Sequence, residues 1–398
     1  MTPEKSLSGL KVVELSTAVA GPYAAMMLGD LGADVIRVES LGGDESRRWP
    51  PKESSGDDGC YFLSVNRSKR AIQMDAKSEE GREVLQRLIA NADVLITNYR
   101  PQSLERLGLA VEKIREEFPT LIYATVTGFG YTGSRANEPA MDLLMQAAAG
   151  LMSMTGTEDG SVVKVPIPIV DLSASLYATI AIQSALRSRE QTSAGCHVDV
   201  SLRDSLLSML AYHATGYLER GDIARPFGTS HPGIAPYRAY NTADGQLILA
   251  VFTDQQFKRA ATVIGERDLA SRAGFAKVED RVANREEIDR IFGHAIEQRP
   301  TAHWLDAMAA ADVPCTPIND VGAALEDPSL KESGTIVSFP RADGAPPMRM
   351  VGSPIVFDSD RVQPSKRPPL VGHEAYDILA EIGFTKEQIR DLNFVQIE

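Results

Sequence analysis

The sequence is short of the features that announce several common enzyme classes. Cys60, Cys196 and Cys315 are its three cysteines in 398 residues, far apart and without a C-x-x-C pair, which excludes a disulfide framework or a zinc ribbon and leaves them as buried thiols. The six histidines (His197, His213, His231, His294, His303, His373) make no H-x-x-x-H spacing, so no metal site is expected. No G-x-S-x-G elbow and no Walker loop occur, which excludes a serine hydrolase and a P-loop ATPase of the usual kinds. Unbroken apolar runs of the roughly 20 residues a bilayer span needs are missing, and Met1 to Leu10 carries no apolar signal core. A cytoplasmic protein with no membrane partner is expected. Positive charge is also in deficit: 41 Lys and Arg against 54 Asp and Glu give a net charge of −13, and an acidic surface repels nucleic acid and anionic membranes alike.

With 43% hydrophobic and 24% charged residues, the composition is that of a globular chain long enough for two domains. In the first 130 residues, short β-branched runs alternate with helical patterns. Val12 to Leu15, Val35 to Val38, Val94 to Thr97 and Leu121 to Val126 predict buried strands of a parallel sheet. Tyr23 to Leu31 and Glu79 to Ala92 predict helices, the second with Val84, Leu85, Leu88, Ile89 and Ala92 on one face behind a Ser78 cap. This β-α-β order predicts a doubly wound α/β sheet, whose ligands sit beyond the carboxyl ends of the strands. The first such end, Ser16 to Pro22, offers only Gly21 where a dinucleotide site needs G-x-G-x-x-G, so an NAD role is rejected although Glu39 closes the second strand. Arg47, Arg48, Lys52, Arg67, Lys69, Arg70 and Lys77 crowd one stretch, readable as a phosphate site or as a solvated loop surface. Val198 to Val200 predicts a further strand. Composition changes beyond Gly216, then Gln246 to Val251 predicts a strand and amphipathic helices follow to Ala311. A proline-rich tail closes with a helix over Glu374 to Ile382.

Asp171 is the conspicuous carboxylate. It follows Pro166-Ile167-Pro168-Ile169-Val170, expected to be non-helical, and opens an Ala- and Ser-rich helix. Asp is a preferred helix cap, and a helix start also favours the ionised form that a nucleophile needs. Local sequence leaves both roles open.

Several segments, in order, resemble one family. They are Leu7-Ser8-Gly9-Leu10-Lys11-Val12-Val13, Ala20-Gly21-Pro22, Leu31 to Glu39, Asn66 to Lys69, Asp93 to Pro101, Arg106-Leu107-Gly108, the Asp171 loop, Val198-Asp199-Val200, and Arg367-Pro368-Pro369 with Gly372-His373. Nearly the whole chain is thus similar to the class III CoA-transferases, a superfamily that includes formyl-CoA transferase, carnitine CoA-transferase and α-methylacyl-CoA racemase. The resemblance implies a Rossmann-like large domain with an open, mostly parallel sheet, a smaller α/β domain, and two chains interlocked as a ring-like homodimer. The expected divisions are residues 1–220, a small domain at 221–325, and 326–398 returning to the first.

The resemblance also implies a role for each matching residue. Asp171 becomes the nucleophile that exchanges CoA between an acyl-CoA and a small carboxylate, through aspartyl anhydride and aspartyl-CoA thioester intermediates, with no permanently bound cofactor. CoA itself, a substrate, is expected at Ala18, Val19, Ala20, Met74, Asp75, Ala76, Lys77, Asn98, Tyr99, Arg100, Ser103 and Arg106. Ser40 and Pro139 replace an arginine and a lysine of formyl-CoA transferase, so Arg37 or Arg47 is expected to compensate. The family's glycine-rich lid corresponds to Gly228 to Tyr237, poorer in glycine and therefore stiffer, where His231, beside Arg225 or Arg238, and Gly233 are expected to face the acceptor acid. An isomerase is the alternative. The racemases carry a histidine before an aspartate where this chain has Met141-Asp142, and Met141 cannot accept a proton.

Overall fold

Residues 5–392 are described by a computed structural model, apart from 54, 55, 57, 342 and 343. In chain order the first part runs β1 (Lys11–Leu15), α1 (Ala20–Asp30), β2 (Asp34–Glu39), α2 (Cys60–Ser64), β3 (Lys69–Gln73), α3 (Glu79–Ala90), β4 (Val94–Thr97), α4 (Pro101–Arg106), α5 (Val111–Glu117) and β5 (Ile122–Thr127). It continues through α6 (Asp142–Ala148), α7 (Leu151–Met154), α8 (Ile169–Thr192), β6 (His197–Ser201), α9 (Leu202–Met209) and α10 (Tyr212–Arg220). Six strands pair in the order β3-β2-β1-β4-β5-β6, every neighbour parallel.

Alternation along the strands divides the core between two faces. Val13, Leu15, Ile36, Val38, Leu95 and Tyr123 pack against Val84, Leu85 and Leu88 of α3 and Ile114 of α5. Val12, Val35, Val94, Ile96, Ile122 and Ala124 pack against Ala25 and Leu28 of α1 and Ile182 and Ala185 of α8. With 24 residues, α8 is the one helix among the described residues long and apolar enough, by length and composition, to cross a membrane. Here its apolar side meets the sheet and α1, as a core helix does.

The strand β3 escapes hydrophobic periodicity because its charged residues point inward. Lys69 and Arg70 are buried, as are Arg67 just before the strand and Arg47 in the loop after β2. Arg67 pairs with Asp30 at 2.7 Å, and Arg70 with Asp34 at 2.5 Å and Glu381 at 2.8 Å. Both sequence readings of the basic cluster are therefore corrected. Most of it is neither a phosphate site nor a solvated loop, but a set of internal ion pairs; Arg48, Lys52 and Lys77 stay exposed.

At the centre of that set is Glu14 of β1, fully buried. It accepts from Arg37, from Lys69 at 2.8 Å and from the Ser16 hydroxyl at 2.6 Å. Arg37 also holds Asp44 at 2.5 Å, while Arg47 holds Glu39 at 2.7 Å and Asp58 at 3.0 Å. Lys69 completes its shell with the Pro22 carbonyl and Asn66 Oδ1. Burial works against ionised Glu14, but Arg37 and Lys69 outweigh it and hold its pKa below the usual carboxylate range.

The C-terminal segment covers the open edge at β3. Ser68 N–H donates to the Lys366 carbonyl, and Glu374 accepts the Ala71 N–H that no strand takes. The described residues within Met1–Leu151, Val165–Asp222 and Ser329–Glu398 form one compact unit. The other comprises Met152–Lys164 and Ile223–Pro328. Its antiparallel sheet of β7 (Tyr237–Asn241), β8 (Gln246–Ala250) and β9 (Cys315–Pro317) packs through Leu247 and Leu249 on helices carrying Phe257, Phe292 and Trp304. The excursion of 152–164 into this unit has no signal in the sequence reading.

Replacing Glu14 by Gln leaves Arg37 and Lys69 without their shared carboxylate. Urea unfolding should show a loss of about 3–5 kcal/mol, the usual cost of breaking a buried pair, and Glu14→Leu with Lys69→Met should recover part of it.

Candidate active site

The strand order reverses between β1 and β4, so the loops leaving those strands diverge and open a crevice at their carboxyl ends. The Asn98 side chain spans it, accepting from Thr17 N–H at 3.0 Å and donating to Thr17 O at 2.7 Å. One amide thus satisfies both backbone groups of Thr17 and fixes the β1–α1 loop, where Ala18 adopts φ +60°. Val19 and Ala20 are buried at the start of α1.

Helix α8 reaches the same place from the other side. The Ser175 hydroxyl lies 2.7 Å from the carbonyls of Ala20 and of Asp171, one turn earlier in its own helix, and shares its one proton between them. Asp171 therefore lies on the turn of α8 that leads into the start of α1. The helix begins at Ile169, two residues earlier than expected, because Pro168 at the cap position needs no N–H partner. Asp171 is consequently in the first turn and does not cap it. The cap is a second carboxylate: Asp142 Oδ1 accepts the Val170 N–H at 2.8 Å.

Among the described residues, no donor or cation pairs with the Asp171 carboxylate. Burial first, and then the negative charge of Asp142, push its pKa from 3.8 to about 7. The sequence expectation ran the other way, through the helix dipole. A dipole contribution of about 0.3–1 kcal/mol is less than one pKa unit and loses to burial. Half-buried Tyr61 feels the same pair: burial, Asp171 and Asp142 raise its phenol to about 12. Nothing in the sequence marked Tyr61, because α2 comes to these carboxylates from about 80 and 110 residues away.

The residues expected to receive CoA divide into two groups. Ala18, Val19, Ala20, Asn98, Tyr99 and Arg100 lie at the switch point, with Ser103 half-buried in α4 and Arg106 exposed at its end. Asp75, Ala76 and Lys77 follow β3, where Asp75 Oδ1 accepts Lys77 N–H at 3.0 Å and Lys77 is exposed. Met74 is 1% exposed inside the core. Arg37 is 0% and Arg47 4% exposed, each committed to carboxylates, so neither reaches a phosphate as expected. Arg48, Lys77, Arg100 and Arg106 are exposed.

In the second unit, the loop 228–237 is pinned by arginines. Arg285 donates to the carbonyls of Pro232 at 2.9 Å and Ile234 at 3.2 Å, and Arg281 to that of Ala235 at 3.1 Å. His231 Nδ1 accepts Gly233 N–H at 3.1 Å, which in the neutral ring places the proton on Nε2. Arg238 is committed to Asp289 at 3.0 Å, and Arg225 is exposed.

Residues 7–375 match the profile of CoA-transferase family III. The chain belongs to that family. A succinate–glutarate CoA-transferase of Agrobacterium fabrum is 36% identical over 94% of this chain and 95% of its own. A succinyl-CoA:mesaconate CoA-transferase of Haloarcula hispanica is 34% identical over 95% and 96%. A solved CaiB/BaiF family protein from Brucella suis superimposes with a TM-score of 0.86 at 37% identity, over 95% of this chain and 100% of the other. The protein is a family III CoA-transferase, acting between an acyl-CoA and a carboxylate. In this family member Asp142 is spent on Val170 N–H and on Gln146, and Met141 beside it has no proton to exchange, so the isomerase alternative lacks its second base.

The raised pKa of Asp171 has two measurable consequences. If transfer uses the ionised Asp171 carboxylate, it should fall as pH drops below about 7. A folded value of about 7 against 3.8 unfolded means that ionised Asp171 costs the fold stability. That cost is absent below about pH 4, grows from there to pH 7 and is complete above. Asp171→Asn should melt with wild type at about pH 4 and above it at about pH 8 in thermal scans.

Proposed function

We propose that the protein takes CoA from a small dicarboxylyl-CoA such as succinyl-CoA and gives it to a small carboxylic acid, with Asp171 as covalent nucleophile. The observation that carries this reading is a half-buried carboxylate, without a donor or cation partner among the described residues, on the turn of α8 that meets the β1–α1 loop at the switch point. The acids in the names of both relatives, succinate, glutarate and mesaconate, support the substrate class.

The chemistry balances without ATP or metal. A carboxylate oxygen of Asp171 attacks the thioester carbonyl; the C–S bond breaks, leaving a mixed anhydride and CoA thiolate. The thiolate attacks the aspartyl carbonyl, expels the donor acid as carboxylate and forms aspartyl-CoA thioester. The acceptor carboxylate attacks that thioester, again releasing thiolate and forming a second anhydride. Thiolate attack on the acceptor acyl carbonyl then restores Asp171. Thioester energy is conserved because each bond broken is replaced by one of similar reactivity. We assign acceptor choice to His231 and Gly233 of the arginine-pinned loop, and CoA phosphate pairing to Lys77 and Arg106. The assembly is a cytoplasmic homodimer in this reading. Exposed Leu176, Ile180, Leu207, Tyr212, Tyr217 and Leu218 on α8–α10 support a buried partner surface.

The test is exchange between succinyl-CoA and a panel of free acids, beside Asp171→Asn. Wild type should transfer, the variant should lose on the order of a thousandfold or more, and hydroxylamine with acyl-CoA should leave a hydroxamate on Asp171. Equal transfer by both proteins rules the nucleophile out. His231→Ala should reorder the acids; an unchanged ranking removes His231 from the site.

A further inference from the structure

Gln146 is an amide with no exposed surface in the middle of α6, and no step of the chemistry uses it. Its partners are unusual for a core glutamine. Nε2 donates to Asp142 Oδ2 at 2.5 Å and to the Val165 carbonyl at 3.3 Å, while Oε1 accepts the Val165 N–H at 2.9 Å. Asp142 and Gln146 are four residues apart, hence on one face of α6 one turn from each other. Asp142 passes the constraint on by accepting Val170 N–H.

The segment so held is where the chain re-enters the first unit. Residues 152–164 belong to the second unit, and Val165 begins the return. Only five residues separate it from Asp171. Of these, Pro166 and Pro168 have fixed φ and no N–H, and Ile169 N–H bonds the Ile167 carbonyl at 2.8 Å. A segment of this kind has little hydrogen bonding of its own, so its anchoring comes from Gln146 at one end and Asp142 at the other.

We infer that Gln146 is a positioning residue for Asp171: it fixes both backbone groups of Val165 and orients Asp142, so that the carboxylate keeps its place beside the β1–α1 loop. The inference rests on Asp171 being the nucleophile. A nucleophile displaced by about 1 Å loses on the order of a hundredfold in rate, while CoA contacts at the ends of β1, β3 and β4 do not pass through α6.

Two variants separate this role from a merely structural one. Gln146→Leu keeps the volume and removes all three hydrogen bonds. Gln146→Glu keeps the acceptor for Val165 N–H but sets a carboxylate against Asp142 and the Val165 carbonyl. Each should lower kcat about 10- to 100-fold with the CoA dissociation constant, measured by calorimetry, within about twofold of wild type. Gln146→Glu should also move the pH midpoint of kcat/KM upward, because it adds negative charge next to the Asp142–Asp171 pair. If kcat and the midpoint stay at wild-type values while Asp171→Asn is inactive, the positioning role is wrong and the nucleophile stands. If Asp171→Asn transfers normally, the nucleophile and the inference fall together. Failure of both Gln146 variants to fold would also overturn the inference, since the amide would then serve the fold and not the carboxylate.

Discussion

The site depends on one buried carboxylate, Glu14. Its two oxygens are shared among Arg37, Lys69 and the Ser16 hydroxyl, and Lys69 extends the hold to the Pro22 carbonyl inside the first turn of α1. That turn offers the Ala20 carbonyl to Ser175, and Ser175 is one turn from Asp171 on α8. The start of the first helix and the helix carrying Asp171 are thus referred to one ion cluster beneath the sheet's end. A buried pair of charges seldom adds net stability over an apolar replacement, but breaking it is costly. What it does here is tie the start of α1, and through it α8, to the sheet.

The Asp171 carboxylate is held in the opposite way. Glu14 is surrounded by donors; the Asp171 carboxylate has burial, a negative neighbour and no hydrogen bond among the described residues. Its environment disfavours its own charge, which raises its pKa and makes the ionised form a cost to the fold. Two prolines, the Asp142 cap and the Gln146 amide hold the short segment before it. Without such anchors, a carboxylate in an unfavourable place would swing toward solvent.

Much of this was legible beforehand. Val12 to Leu15, Val94 to Thr97 and the Ser78-capped helix declared themselves because their burial follows the period of the backbone, and Ser78 Oγ does accept the Gly81 N–H. Lys69 to Gln73 did not, since a strand that buries Lys69 against Glu14 and Arg70 against Asp34 looks polar to any hydrophobicity count. Arg37 and Arg47 misled for the same reason: a cation's partner decides whether it faces ligand or core, and their partners are carboxylates inside the protein. Tyr61 and Gln146 carried no local signal at all.

By itself the sequence determined the class of fold, the family and the candidate nucleophile, because these are written in residue types at short spacing: apolar alternation, caps, prolines before Asp171. The tertiary structure decided which charges are spent internally, that Asp142 rather than Asp171 caps α8, that the chain visits a second unit between Leu151 and Val165, and that Asp171 titrates near neutrality. Each of those depends on contacts between segments far apart in the chain, and on burial, which exist only once the sheet has closed over them.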